Sequence, residues 1–519
     1  MTTATPLRSS KSVRSSKSEK TNRTSSEEGE IDFHEYIKDV LKRFSCEIVV
    51  VVLKHEEREA IFKPQRIRDH GDTGDAKTKH TDKTDKQVYI DPVATELVPS
   101  DDTFTLKEHP ELQNPLGYNT LVISINNDNY NRLTEISICD FRVQCLPRKL
   151  IQLIGLVLPY YSQLYKLTIK NCFIDFYTLY ELGKVISYTT ITDVCLDDCP
   201  LPAGNYDAIL NGRTCVRNLS LCRCRINDDV CERLSSRLVY TELAEESLVA
   251  LNLTSNHITD VGAKYLADAL RSNKHLRYLN LADNLLGDVG ARHIFDVMVE
   301  FPLTNEEIFD KRHRYMLYLK KKQTIILEFL LKFSAQSSQS TCIDLSTAIN
   351  HGSTIKKKES VYKRRASSAK INRSIKKEKE KFKSQGSDEN LPLKAEMMTR
   401  EILGEFVDPF SKENIRIDNG YAFSLGNRVL SYLNLAYNEL TYISVKKLLS
   451  VIEYQQEFYN SPNSGLFKVV LDGNPIPNCT ELAAIHTILN LHNAIVAKQI
   501  TDKYSLRKSL IDKKTISKK

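Results

Sequence analysis

The stretch LRYLNLADNLLGD (276–288) decides the fold, because the chain writes it more than once. LVALNLTSNHITD (248–260) stands 28 positions upstream, and LSYLNLAYNEL (430–440) stands 154 positions downstream. All three obey L-x-x-L-x-L-x-x-(N/C)-x-(L/I), and five further registers follow the same rule. The first is degenerate: Leu133, Ile136, Ile138, Phe141 and Val143. Next come Leu164, Leu167, Ile169, Cys172 and Ile174, then Ile191, Val194, Leu196, Cys199 and Leu201. Val216, Leu219, Leu221, Cys224 and Ile226 form the fourth. The three copies above are the fifth, sixth and seventh, and Leu466, Val469, Leu471, Asn474 and Ile476 close the series.

The spacing predicts a short strand at each L-x-L, with alternate side chains pointing into a shared interior. A small polar residue, Asn256, Asn284, Asn438, Asn474 or one of Cys172, Cys199 and Cys224, then stands where the chain leaves the ladder. There it can satisfy backbone groups that have lost their strand partners. After the strand of the fifth register, Ala263, Leu266, Ala267 and Leu270 form an apolar helical stripe. No single unit can bury its own apolar face, so neighbours must stack into an arc.

Registers begin 25 to 36 residues apart within each block, but 154 separate the sixth from the seventh. A long loop adds closure entropy only logarithmically, so the second block is expected to stack directly on the first. The gap opens on EEIFDKRHRYMLYLKKKQTIILEFLLKF, a charged helix candidate with Ile308, Tyr315, Leu319, Ile326 and Leu330 in rough phase. TIKKKESVYKRRASSAKINRSIKKEKEKFKSQGSDEN follows, too poor in apolar residues to offset its ordering entropy, and disorder is expected there. The exit, RIDNGYAFSLGNRVL, carries turn chemistry.

The expected organisation is a disordered basic N-terminus (1–30), an N-terminal region and cap (31–118) and a first repeat block (119–302). A charged helical segment (303–345), a disordered insertion (346–392) and a return segment (393–428) lead to the second block (429–497) and a basic tail (498–519). Before the first block, DFHEYIKDVLKRF reads as an amphipathic helix, CEIVVVVLK as a strand and TLVISIN as a cap on the first repeat.

Formal charge is +7, with surpluses of eight in 351–390 and six in 498–519, so the body is acidic and the appendages basic. No apolar core follows the first charges and no apolar run is long enough for a bilayer, which points to a soluble, membrane-free, cytoplasmic chain. Twelve Cys in such a setting read as reduced thiols.

Candidate contact residues lie on the strands. Outward positions carry Asn252, Asn280 and Asn434 in one column, with Tyr278 and Tyr432 in the column beside it and Tyr437 further along the seventh register. Either the asparagines serve the repeat itself, or the group forms a partner-contact strip in which Tyr supplies apolar area with a polar tip.

Cys195, Cys199, Cys222 and Cys224 lack paired C-x-x-C spacing, and the repeat's own turn position explains several cysteines without zinc. RDHGDTGDAKTKHTDKTDK lacks the closing Glu of a calcium loop. H-E-x-x-H, the phosphate-cradling P-loop and the nucleophile elbow are absent, so no metal, cofactor or catalysis is expected. The basic runs suit a solubilising linker or an acidic partner such as tubulin tails better than nucleic acid, because interleaved aromatics are lacking. KRRASSAK places Ser367 and Ser368 in a basophilic kinase context, where phosphorylation would subtract positive charge.

These registers resemble leucine-rich repeats of the ribonuclease-inhibitor type, which implies an α/β solenoid with strands on the concave side and helices on the convex side. SLVALNLTSNHITDVGAKYLADALRSNKHL, a Lys/Ser-rich interruption, NRVLSYLNLAYNEL, EYQQEF and GLFKVVLDGNPI occur in an order similar to the leucine-rich repeat-containing protein 71 family. That resemblance implies a non-enzymatic scaffold in motile cilia or the axoneme, with axonemal or tubulin-containing partners. The alternative is a small-GTPase regulator similar to Ran GTPase-activating proteins, although those end in acidic tails and this chain ends in KYSLRKSLIDKKTISKK.

Overall fold

The structure is a computed structural model describing Phe33, Tyr36, Ile37, Asp39, Val40 and residues 49–62, 120–343, 391–458 and 465–516. The repeats supply strands β3 (Leu133–Cys139), β4 (Lys166–Lys170), β5 (Asp193–Cys195), β6 (Asn218–Ser220), β7 (Ala250–Asn252) and β8 (Tyr278–Asn280). Beyond the long interruption come β12 (Tyr432–Asn434) and β13 (Lys468–Val470). All pair in parallel, and β12 pairs directly with β8: Tyr432 lies opposite Tyr278, Leu433 opposite Leu279 and Asn434 opposite Asn280. The two blocks are one solenoid.

Ahead of the repeats, β1 (Val49–Lys54) pairs in parallel with β2 (Thr120–Asn127), which pairs antiparallel with β3. The ten strands form one sheet. Leu251, Leu279 and Leu433 are at most 1% exposed in the middle of their strands, and the flanking residues are half-buried. The leucine columns therefore form one continuous core. One register residue departs from expectation: Val143 is 55% exposed, and Leu146 is buried instead. Tight packing needs a residue that returns beneath Phe141, and the chain reaches that depth only at Leu146, whose amide donates to Phe173 O.

The turn column shows why Asn recurs. Asn284 Nδ2 donates to the carbonyls of Leu253 (3.0 Å), Leu281 (3.1 Å) and Ala282 (3.2 Å), while its Oδ1 accepts from Ile258 N (3.2 Å). Asn256 and Asn474 repeat this bridge. Asn438 repeats it across the interruption, taking Leu286 N (3.1 Å) and giving to Leu281 O (3.0 Å). The preceding residue adopts left-handed φ in these rungs, +55° at Ser255 and +56° at Asp283, which tips the chain out of the ladder.

On the convex side lie α1 (His55–Phe62), α2 (Arg148–Val157), α3 (Phe176–Ser187), α4 (Asp228–Ser236), α5 (Asp260–Ser272) and α6 (Asp288–Asp296). Successive helices are linked by aspartates. Asp228 accepts from the amides of Thr259 and Gly262, and Asp260 from those of Gly287 (2.7 Å) and Gly290 (2.8 Å). Asp288 accepts from the Thr441 amide (2.9 Å) and hydroxyl (2.6 Å), carrying the relay over the interruption. Glycine makes room at the receiving end of the first two links, since a Cβ on Gly290 would stand 2.4 Å from Asp260 Oδ1 and 3.0 Å from Asp260 Cα, whereas Ser444 takes that place in the third. Gly290→Ala is expected to break both bonds and cost about 2 kcal/mol, measured by urea unfolding.

The interruption begins with β9 (Phe301–Pro302) and α7 (Asn305–Ile343), and returns through α8 (Leu391–Leu403), β10 (Ile415–Asp418) and β11 (Tyr421–Ser424). β9, β11 and β10 form a separate antiparallel sheet whose hairpin turns at Asn419 and Gly420, both at positive φ. Arg271 clamps the base of α7 through two bonds to Glu307 (2.7 and 2.8 Å). The expected stripe is met in part: Ile308, Ile326 and Leu330 are half-buried and Tyr315 packs edge-on against Phe406, while Leu319 is exposed. Polar anchors add to it: Arg314 Nε donates to the buried Asp408 (2.8 Å) and Tyr318 to Gly404 O (2.9 Å). After α9 (Tyr442–Gln456), α10 (Thr480–Ile516) runs straight through the expected start of the basic tail at 498. The expected disordered segment and the phosphorylation candidates Ser367 and Ser368 lie outside the described residues.

Candidate protein-binding face

Strand alternation sends the residue on each side of the buried central leucine to the concave surface. From β3 to β6 that surface is polar and internally paired. Glu135 accepts from Tyr165 (2.6 Å) and Lys166 (3.3 Å), and Asp193 accepts from Asn218 Nδ2 (2.6 Å). Ser220 donates to Asp197 (2.6 Å). From β7 onward the character changes, as Ala250, Tyr278, Tyr432 and Lys468 follow one another across the sheet.

Tyr278 and Tyr432 stack with centroids 4.2 Å apart and planes 8° from parallel. The Lys468 ammonium lies 5.5 Å from the Tyr432 ring centre, covering the far side of the stack. On the near side, the missing side-chain bulk at Ala250 leaves a cavity of about 170 Å³ between Tyr278 and Asn218, floored by Cys195, Ser220 and Asn252. Burial pushes the Tyr278 hydroxyl up to about 12, with Tyr432 adding to the rise. The strip thus offers a fixed aromatic wall beside a small apolar notch. Sequence columns supplied both tyrosines; Ala250 and Lys468 mattered equally, and their signal was their place in the same column.

The asparagine column is divided between roles. Oδ1 of Asn252, Asn280 and Asn434 accepts the amide two residues on, at 3.2, 3.1 and 3.0 Å, so each oxygen braces its own turn. Asn252 Nδ2 also donates to Ser220 (3.0 Å). Tyr437 flanks the strip rather than joining the stack: it sits at φ +55° on the loop leaving β12, 63% exposed and against Gly473.

Cys172, Cys199 and Cys224 occupy the turn column and are buried. Each thiol lies over the same carbonyls that Asn addresses elsewhere; Cys224 Sγ donates to Leu196 O (3.0 Å) and Cys199 Sγ to Ile169 O (3.4 Å). Cys lacks the amide oxygen, so in those rungs the acceptor half of the bridge falls to a weaker sulfur. Among the described residues no group of three or more His, Cys, Asp or Glu side chains is placed to hold a metal ion. Burial pushes the Cys224 and Cys231 thiols up to about 12. Iodoacetamide at pH 8 is expected to label the exposed Cys145 and Cys215 while leaving Cys224 and Cys231 unmodified until denaturant is added, as read by peptide mass mapping.

Among the described residues no helix is long and apolar enough to cross a membrane. A sequence model of the leucine-rich repeat matches residues 246–267 and 272–295, the fifth and sixth rungs. No curated protein sequence matches the chain. Among solved structures, an internalin from Listeria monocytogenes is similar at 11% identity, covering 69% of this chain and 88% of that one with a TM-score of 0.21. That score carries no argument; the sheet registers and the turn column are those of an α/β solenoid built of leucine-rich repeats.

Proposed function

We propose that the protein is a non-enzymatic scaffold that binds a partner protein on its concave face, anchored at the Tyr278–Tyr432 stack. The observation that carries this reading is a half-buried aromatic pair held rigid before any partner arrives, beside the Ala250 notch. Preorganised rings lose little entropy on binding, and aromatic anchors beside a pocket concentrate binding energy. The notch takes one small apolar side chain of the partner, while Lys468 and the asparagine amides supply a polar rim.

The cellular setting we propose is the cytoplasm of ciliated cells, within the motile cilium or axoneme, with axonemal or tubulin-containing partners. Support comes from the order of sequence parts shared with the leucine-rich repeat-containing protein 71 family. Proximity labelling in ciliated cells tests it, using the full chain, a Tyr278→Ala/Tyr432→Ala variant and a version lacking 346–392. The reading requires axonemal proteins to be labelled by the full chain and lost with the tyrosines. Loss on deleting 346–392 alone moves the contact to the insertion.

A further inference from the structure

A second cavity, about 420 Å³, lies on the flank where the chain enters β8 and β12, roofed by residues of the return segment between Glu405 and Asn414. Lys274 and Arg428 line it from equivalent repeat positions, two residues before Leu276 and two before Leu430. Pairing of β8 with β12 makes these adjacent rungs, so like charges sit side by side. The backbone holds them there. Asn273 Oδ1 accepts from the amides of His275 (3.0 Å) and Leu276 (2.8 Å), and Asn427 Oδ1 from those of Val429 (3.0 Å) and Leu430 (3.1 Å).

Glu405, Asp408 and Glu413 also line the recess, and each has another partner, as does Glu245 beside it. Glu245 takes the Lys274 amide (3.0 Å) and the His275 imidazole (2.9 Å). Asp408 holds Arg314, Glu405 pairs with Arg400 (2.9 Å), and Glu413 accepts from Ser411. The Lys274 ammonium makes no hydrogen bond or ion pair with any described residue. Arg428 lies over the Phe458 ring (4.3 Å) and donates one long bond, 3.4 Å, to Asn414. Burial, then the Arg428 charge, push the Lys274 amine down to about 8 against a small opposing effect of Glu245. Two neighbouring cations, neither in an ion pair with a described carboxylate, are an unfavourable arrangement on their own.

We propose that this recess is an oxyanion site, receiving the phosphate or carboxylate group of a small molecule between Lys274 and Arg428. Its volume is in the range of small-ligand pockets, and the paired donors match an oxygen-rich anion. The site is separate from the concave face and does not depend on it.

The test is thermal unfolding and calorimetry of the full chain with inorganic phosphate or citrate at constant ionic strength. Near-saturating anion is expected to raise Tm by about 3 °C at pH 7 and to give a saturable heat. Lys274→Met removes one of the two half-buried cations, so it should show no anion response; Arg428→Gln should respond weakly. The wild-type response should fade as pH rises past about 8, where Lys274 loses its proton. The larger of the two responses, phosphate or citrate, identifies the ligand class. Absence of saturable heat in the wild-type chain overturns the proposal. So does a Tm shift of equal size in Lys274→Met, which would mark salt exclusion from the whole surface.

Discussion

Asn438→Ala is expected to destabilise the protein by roughly 2–3 kcal/mol and lower its melting temperature by about 4 °C. The side chain is 6% exposed and sits at the seam between the two repeat blocks. It donates to Leu281 O, Leu435 O and Ala436 O at 3.0–3.1 Å and accepts from Leu286 N at 3.1 Å. Alanine leaves the Leu286 amide without a partner, at a cost of about 1–3 kcal/mol, while the three carbonyls each keep one donor: Asn284 for Leu281, Asn474 for Leu435 and the Asp283 amide for Ala436. Asn438→Cys is the informative companion. Three rungs already use Cys at this position, so the thiol, a weak donor and weak acceptor, should recover part of the loss. Denaturant unfolding of the two variants reads the difference, and equal losses would show that the donor side of the bridge contributes nothing.

The Tyr278→Ala/Tyr432→Ala double variant is expected to weaken partner binding by about 100-fold or more while lowering stability by no more than about 2 kcal/mol. Both rings are half-buried and lie on the strand face away from the core, so the leucines beneath them stay packed. In a complex the same rings become fully desolvated, and the aromatic wall of the Ala250 notch disappears with them. Affinity for a partner captured by proximity labelling, measured beside the melting temperature, separates the two effects. Retained affinity would remove the stack from the docking surface.

How much of this was legible beforehand depended on whether a signal repeats. Leucine columns, the Asn/Cys column and the pairing of β8 with β12 follow from period and residue type, because each position recurs in a constant environment. Val143 was misassigned since the first rung closes by a longer path to Leu146, and one degenerate copy cannot reveal that. The phase of α7 was legible in part. Ile308, Ile326 and Leu330 are half-buried as the periodicity predicts, but Leu319 is exposed, and the polar anchors Arg314, Tyr318 and Lys322 that reach distant partners leave no periodic signal. The aspartate relay did leave a trace, DVGA at both 260–263 and 288–291, where Asp and Gly keep fixed spacing. Lys274 and Arg428 likewise occupy matching repeat positions, though only the fold shows that their neighbouring acids are already engaged.

The seam between β8 and β12 has a consequence for how the polypeptide can be cut. Strand pairing, the Asn438 bridge and the Asp288–Thr441 link all cross it, and none of them needs the residues between Ile343 and Leu391. Covalent continuity there is therefore dispensable. Severed in that interval, each half exposes a template whose only full complement is the other, and the pair would behave as two subunits of an obligate heterodimer.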